Sequence, residues 1–131
     1  MQPILVIDDD DQARSVVRRA LERVGYAVVE AVDGEEGTRL ALEVSPALVV
    51  TDIIMPNKEG LQVIRELHDR HPELPIIAMS GGSHHLSPDA ILRLAQCFGA
   101  RATLFKPFAL ADLVSTVRAA IGTPSDKLVS G

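Results

Sequence analysis

The chain has 131 residues, 47 % of them hydrophobic, a formal net charge of −5 and a single cysteine, Cys97. That length and apolar content suit one globular domain, which buries roughly 70 % of the surface its unfolded form exposes and needs no disulfide or metal staple. One cysteine excludes an intrachain bridge, the acidic balance argues against a free-standing nucleic-acid binder, and no apolar run reaches the ~20 residues of a membrane span.

Met1-Gln2-Pro3 leads straight into an apolar run and leaves no room for a signal peptide, so a cytoplasmic chain in a reducing compartment is expected. Ile4 to Ile7 is apolar without alternation, as in a strand covered on both faces. Four acids follow, Asp8 to Asp11, and Asp10 or Asp11 can cap the helix that starts there. That helix carries Ala13, Val16, Val17, Ala20, Leu21 and Val24 on one face and stops at Gly25. Ala27-Val28-Val29 reads as a second strand. Asp33-Gly34-Glu35-Glu36 reads as a capping box opening a helix with Leu40, Ala41 and Val44 inward, ended by Ser45-Pro46. Leu48 to Asp52 is a third strand. The next helix carries Leu61, Ile64, Leu67 and His68 on one stripe and ends before Pro72. Ile76 to Met79 is a fourth strand, finishing at Ser80-Gly81-Gly82. A polar loop leads to Ser87-Pro88, cap and first-turn proline of a helix with Ile91, Leu94, Ala95 and Phe98 on one face. Beyond Gly99, Ala102 to Phe105 is a fifth strand, followed by Lys106-Pro107-Phe108. The last helix turns Leu110, Leu113, Val114, Val117 and Ile121 inward and ends at Gly122. Residues 1–122 are thus expected to form the domain and 123–131 a flexible tail.

Five repeats of strand then helix imply an α/β, doubly wound (βα)5 flavodoxin-like fold, with a parallel five-stranded sheet in the order 2-1-3-4-5. In such a sheet all strands end on one side. Strand one then delivers Asp8 and Asp9, strand three Asp52, strand four Ser80 and strand five Lys106. Strands one and three are neighbours at the topological switch point, so three carboxylates converge there. Crowded like charges are costly, because each raises the pKa of the next. Lys106 is one group that offsets them, and a divalent ion is a stronger one. Mg²⁺ takes hard oxygen ligands, typically one or two carboxylates, with waters and a phosphate completing the octahedron.

The chemistry this suggests is phosphoryl transfer, where catalysis is mostly positioning and stabilisation of charge on three equatorial oxygens. Mg²⁺ would hold one oxygen, the Ser80 hydroxyl a second and the Lys106 ammonium a third, while Asp52 attacks in line and becomes an aspartyl phosphate. Each residue alone has an ordinary explanation. Acids cap helices, a serine satisfies a turn, and a loop lysine is solvated. Their joint occurrence at four of five strand ends is what is specific.

At this point the sequence resembles the receiver domain of two-component response regulators, the chemotaxis receiver among them, over residues 3 to about 121. The residues that carry the resemblance are Ile-Leu-Val-Ile-Asp8-Asp9, Val-Val-Thr-Asp52-Ile-Ile-Met-Pro56, Ile-Ile-Ala-Met-Ser80-Gly and Phe-Lys106-Pro107-Phe108. The resemblance implies that Asp52 accepts phosphate from a sensor histidine kinase or a histidine phosphotransfer protein, and that the module then changes its binding to a downstream protein target. It implies Mg²⁺ ligated by Asp9, Asp52 and the backbone carbonyl of Ile54, with Asp8 acting through water. It also implies a cis bond at Lys106-Pro107 that aims the ammonium at the pocket.

Ser80, Gly81, Gly82, Thr103 and Pro107 are the positions expected to carry a conformational response. Two departures from the family pattern bear on it. The family usually has an aromatic three residues before the lysine, and here that residue is Thr103. Two charge-assisted hydrogen bonds from Ser80 and Lys106 are worth roughly 1.5–3 kcal/mol each, and only the part that differs between states counts against about 5.5 kcal/mol for a 1:99 to 99:1 reversal, so both a switch and a graded or ensemble response are open. The segment Gly81 to Pro88 is longer than usual, and its glycines permit large backbone changes, so it is expected to be mobile and to order when phosphate engages Ser80. The apolar Ile54 offers nothing to orient a hydrolytic water, which points to a slowly hydrolysed phosphate.

Other residues have plainer readings. His84 and His85 are adjacent and point apart, His68 and His71 suit a helix end, and Cys97 suits packing. Arg14 and Arg18, one turn apart on helix one, read as a solvated face that a kinase or phosphotransfer protein can meet. The leading expectation is a stand-alone receiver, catalysing only its own phosphorylation and dephosphorylation, with no membrane contact and no direct nucleic-acid binding. Alternatives are a receiver cut from a longer transcription factor or hybrid kinase, and a phosphate-independent pseudo-receiver scaffold. A haloacid-dehalogenase-type phosphatase would want a second Asp where Ile54 stands. A flavodoxin would want a Ser/Thr/Gly loop where the four aspartates stand.

Overall fold

The computed structural model describes residues 2–55, 58–81 and 87–124. Strand β1 (Ile4–Ile7) is buried along its whole length and leads into helix α1 (Asp11–Arg23). Asp10 caps α1, its side chain accepting from the Gln12 and Ala13 amides; either Asp10 or Asp11 was open from the sequence, and the extended backbone of Asp10 decides it. The edge strand β2 (Val28–Ala31) is shifted from the expected 27–29 and takes in Glu30. Helix α2 (Gly34–Val44) opens on Asp33, whose side chain accepts from the Glu36 amide at 2.9 Å. Glu36 in turn accepts from the Val32 amide at 2.9 Å, closing the expected capping box one residue further back.

Strand β3 (Leu48–Asp52) and helix α3 (Gly60–Arg70) follow, then β4 (Ile76–Ser80), α4 (Pro88–Phe98), β5 (Ala102–Phe105) and α5 (Leu110–Ile121). Ser87 caps α4 through the Ala90 amide at 3.1 Å, and Gly99, with φ of +126°, ends it where a side chain would strike His68. The sheet has the order β2-β1-β3-β4-β5 with every neighbouring pair parallel.

Because strand side chains alternate, the sheet feeds two cores. Leu5, Ile7, Val49, Ile76 and Ala78 pack under α2, α3 and α4. Ile4, Val6, Leu48, Val50, Ile77, Met79 and Leu104 pack under α1 and α5 with Val17, Leu21, Leu113 and Val117. Three residues placed on inward helix faces by periodicity alone, Val16, Leu94 and Leu110, are instead substantially exposed, each at the margin of its stripe. Cys97, expected in packing, is exposed as well.

At the chain's end, the Tyr26 hydroxyl donates to the Gly122 carbonyl at 2.5 Å. Pro124, inside the expected tail, is buried. Residues 125–131 lie outside the described residues, as do Gly82, His84, His85 and most of the loop for which mobility was expected.

One glycine ties the fold to the sheet's functional end. A Cβ on Gly60, at the start of α3, would lie 2.2 Å from the Asp52 carbonyl oxygen and 2.6 Å from the Ile53 Cα. The gain in helix propensity from Gly to Ala is at most about 1 kcal/mol, whereas overpacking against backbone costs typically 1–3 kcal/mol and more where the neighbour cannot move. Gly60→Ala is therefore expected to lower stability by about 2 kcal/mol, read as a lower urea midpoint at unchanged slope.

Candidate functional site

Strand parity explains which groups meet. Asp8 continues the side of β1 that carries Ile4 and Val6, Asp52 the side of β3 that carries Leu48 and Val50, and Lys106 the side of β5 that carries Ala102 and Leu104. All three leave the sheet on the face covered by α1 and α5. Ser80 follows Ile76 and Ala78, whose side chains belong to the other core. It is fully buried at the end of β4, paired in register with Phe105, and its carbonyl accepts from the Lys106 amide at 3.0 Å.

The geometry at the sheet's end is close. The Lys106 ammonium lies 3.2 Å from Asp8 Oδ2 and 3.4 Å from Asp52 Oδ2. Asp8 Oδ1 accepts from the Asp10 amide at 3.0 Å, and Asp52 Oδ1 accepts from the Ile53 amide at 2.9 Å. The Asp8 side chain is 1 % exposed and that of Asp52 12 %. Asp9 stands exposed at the rim. One oxygen from each of Asp8, Asp9 and Asp52 can be chosen so that all lie within 4.8 Å of one another, the only such group of three metal-ligating side chains among the described residues. A set made only of carboxylate oxygens suits a hard divalent cation such as Mg²⁺ and not a soft one.

Burial and charge act on Asp52 in opposite senses. Desolvation pushes its carboxyl up, the Lys106 ammonium pulls it down, and Asp8 pushes it up again, leaving it raised from 3.8 to about 6. Burial alone would lower the Lys106 ammonium, but Asp52 and Asp8 outweigh it and hold its pKa above the ordinary lysine value. Asp52 is thus a carboxylate kept largely out of water beside a fixed cation, at a rim that α3 approaches through Gly60.

The remaining expected residues sit around this centre. Ile54, two residues past Asp52, has its side chain 45 % exposed at the mouth. Gly81 lies against the Lys106 side chain, and the Lys106–Pro107 bond is cis. Thr103 is half-buried on β5. Two positions further along the same side, Phe105 is 50 % exposed beside Ser80 in register.

One part of the site is a correction. Arg14, expected on a solvated face, is buried. Its guanidinium donates to the Asp8 carbonyl at 2.7 Å, to Asp11 at 2.6 Å and to Glu30 at 3.0 Å. Arg18 joins the same network through the other oxygen of Glu30 at 2.6 Å. The signal in the sequence was Glu30 itself, an acid within an otherwise apolar strand, which needs a cationic partner.

Comparison with known proteins agrees with this geometry. A family model described as the response regulator receiver domain matches residues 4–118. The chain is 38 % identical over 125 residues to the response regulator MprA of Mycolicibacterium vanbaalenii, covering 94 % of this chain and 52 % of that one. It thus spans about half the length of the curated relative it matches. Among solved structures, the chemotaxis protein CheY4 of Vibrio cholerae superimposes with a TM-score of 0.81 at 25 % identity, covering 92 % of this chain and 98 % of that one. The response regulator TrrA of Thermotoga maritima, crystallised with Mg²⁺ and BeF, gives 0.79 at 29 % identity over 92 % of this chain and 99 % of that one.

The raised Asp52 pKa has a consequence for stability. A folded-state value of about 6 above an ordinary 3.8 means that ionising Asp52 disfavours the fold. The cost is absent below about pH 4, grows as pH rises through 6 and is complete above it. In EDTA at pH 8, Asp52→Asn is expected to be more stable than the wild type by on the order of 2 kcal/mol. The advantage should shrink at pH 5, as followed by chemical denaturation at both pH values.

Proposed function

This chain belongs to the response regulator receiver domain family, a phosphorylation-controlled signalling module, and we propose that Asp52 is its phosphoacceptor. An Asp52 oxygen attacks the phosphorus of a phosphohistidine on a sensor histidine kinase or a histidine phosphotransfer protein. The new O–P bond forms as the P–N bond breaks, and the imidazole leaves and takes up a proton. Lys106 and the Ser80 hydroxyl receive the phosphoryl oxygens. Asp8, Asp9, Asp52 and the Ile54 carbonyl would hold Mg²⁺, whose charge would offset the negative charge of the transferring group. The observation that carries this reading is the Lys106 ammonium held between Asp8 and Asp52 within a cluster of three carboxylates. The Mg²⁺ and BeF of the TrrA crystals support the choice of ion.

The phosphorylated module then changes its binding to a downstream protein. It catalyses only its own phosphorylation and dephosphorylation and acts in the cytoplasm. Among the described residues no helix is long and apolar enough to cross a membrane, and the net charge of −5 favours protein partners over nucleic acid for this domain. Residues 1–122 are the working unit. The family match over residues 4–118 supports that unit, and the comparisons include both a relative of about twice this length and a CheY4 chain covered almost end to end.

With acetyl phosphate and Mg²⁺, intact-mass measurement is expected to find one added phosphoryl group, suppressed by EDTA and lost in Asp52→Asn. A labelled Asp52→Asn protein would sink the assignment. Since Ile54 presents no polar group to orient water, the phosphoprotein is expected to survive a desalting step, and rapid decay would remove the role given to Ile54.

A further inference from the structure

Arg14 is costly for this fold to bury. Its side chain is 11 % exposed, and removing a guanidinium from water carries a penalty of several kcal/mol that ion pairing repays only in good geometry. A buried ionic network is therefore weak evidence for stability, and its best-attested use is to fix a register. The fixed element can be identified from the contacts. The planar fork reaches three separate places: the carbonyl at the end of β1, the Asp11 carboxylate in the first turn of α1, and Glu30 on β2. Arg18 holds the second Glu30 oxygen, so the fork itself is braced.

Two of these contacts bracket the segment from Asp8 to Asp11. The carbonyl that Arg14 holds belongs to the peptide unit joining Asp8 to Asp9. That unit is planar, so with Asp8 tied at its amide, holding its oxygen sets its plane, and the tie of the Asp10 amide to Asp8 then narrows the rotation left to Asp9 between them. Asp8 is already tied at its amide by the Ala31 carbonyl at 3.2 Å and at its carboxylate by the Asp10 amide and Lys106. Asp9 is exposed at the rim, between backbone ties at the Asp8 carbonyl and the Asp10 amide.

We propose that Arg14 is a positioning residue for the divalent metal: it sets the Asp8–Asp9 peptide so that both carboxylates face the ion before it arrives. The proposal rests on the reading that Asp8, Asp9 and Asp52 bind Mg²⁺. It makes a prediction whose sign separates it from simple electrostatics. A guanidinium close to a cation site repels the cation, so deleting it should tighten Mg²⁺ binding if charge alone matters. Positioning requires the opposite. Removing a group that orients metal ligands typically weakens affinity 10–100-fold.

The test is Mg²⁺ titration of the full chain, followed by amide NMR shifts, for wild type, Arg14→Gln and Arg14→Lys, with thermal unfolding in EDTA run alongside. The expected result is a Kd raised about tenfold in Arg14→Gln and raised severalfold in Arg14→Lys, where one ammonium keeps the charge but cannot serve three acceptors. If Arg14→Gln does not fold, Arg14→Lys decides. A Kd unchanged or lowered in the folded variants, with only the unfolding temperature reduced, overturns the proposal and leaves Arg14 a tie between α1 and β2. Asp9→Asn in the same titration guards the premise. If it leaves the wild-type affinity intact, or if the wild type shows no saturable shift, the metal reading fails and the proposal falls with it.

Discussion

Three carboxylates and one ammonium share the end of the sheet, and the balance among them governs what the domain can do. Apolar strands could have been capped at far lower cost. A fully buried isoleucine stabilises by roughly 1.5–3 kcal/mol, while an ionised carboxylate in the same surroundings opposes folding unless it is paired. Here Asp8 and Asp52 are largely out of water, and Lys106 is shared between them. Burial is the largest push on the Asp52 carboxyl, Asp8 adds to it, and one cation shared between two acids does not offset them, so it stays raised to about 6 even with Lys106 beside it. A divalent ion held by these carboxylates would relieve the same imbalance as a loss of the Asp52 charge, so metal binding there and the cost of ionising Asp52 would have a common origin.

That imbalance is sustained by a frame with little freedom. The strands that deliver the acids are buried on both faces and locked in register, Ile7 with Thr51 and Asp52 with Met79. A one-residue slip in any of them would move its acid to the opposite face. Gly60 brings α3 so close to the Asp52 carbonyl that a methyl group does not fit. The rigidity is local to the acids. Ile54 and Phe105, the apolar residues on either side of the centre, are half exposed, so the mouth of the site is open where its floor is fixed.

Most of this was legible in the sequence, and the part that was not has a traceable cause. Uninterrupted apolar runs marked β1, β3 and β4 because strands buried on both faces cannot alternate, and caps at Asp10, Asp33 and Ser87 marked the helices. Once the strands were placed, the topology alone brought Asp8, Asp9, Asp52 and Lys106 together. Arg14 was missed through an error one element away. Ending β2 at Val29 left Glu30 in a loop, and without an acid in the strand Arg14 had no visible partner and read as surface. Edge strands are half-buried and weakly patterned, so their bounds are the least certain to read, and here the bound carried chemistry. Val16, Leu94 and Leu110 failed differently. Periodicity gives the direction of an apolar stripe, but its width depends on how closely the neighbouring helix packs, which no single helix encodes.

The position of Lys106 also sharpens what phosphorylation can achieve. Counted as a free cation, it would contribute a full charge-assisted hydrogen bond to an arriving phosphoryl group, roughly 1.5–3 kcal/mol. It is not free: it already lies against Asp8 and Asp52, and its pKa is held above the ordinary value by them. Only the difference between its present contacts and those to a phosphoryl oxygen can bias a conformation. The same holds for Ser80, which is buried at the end of β4 and would have to leave its present surroundings to meet a phosphoryl group. How far a population moves depends on the sum of those two differences, set against the ~5.5 kcal/mol that a near-complete reversal requires. Thr103 on β5 leaves no aromatic three residues before Lys106, so a bias of this kind has no aromatic ring at that position to work through.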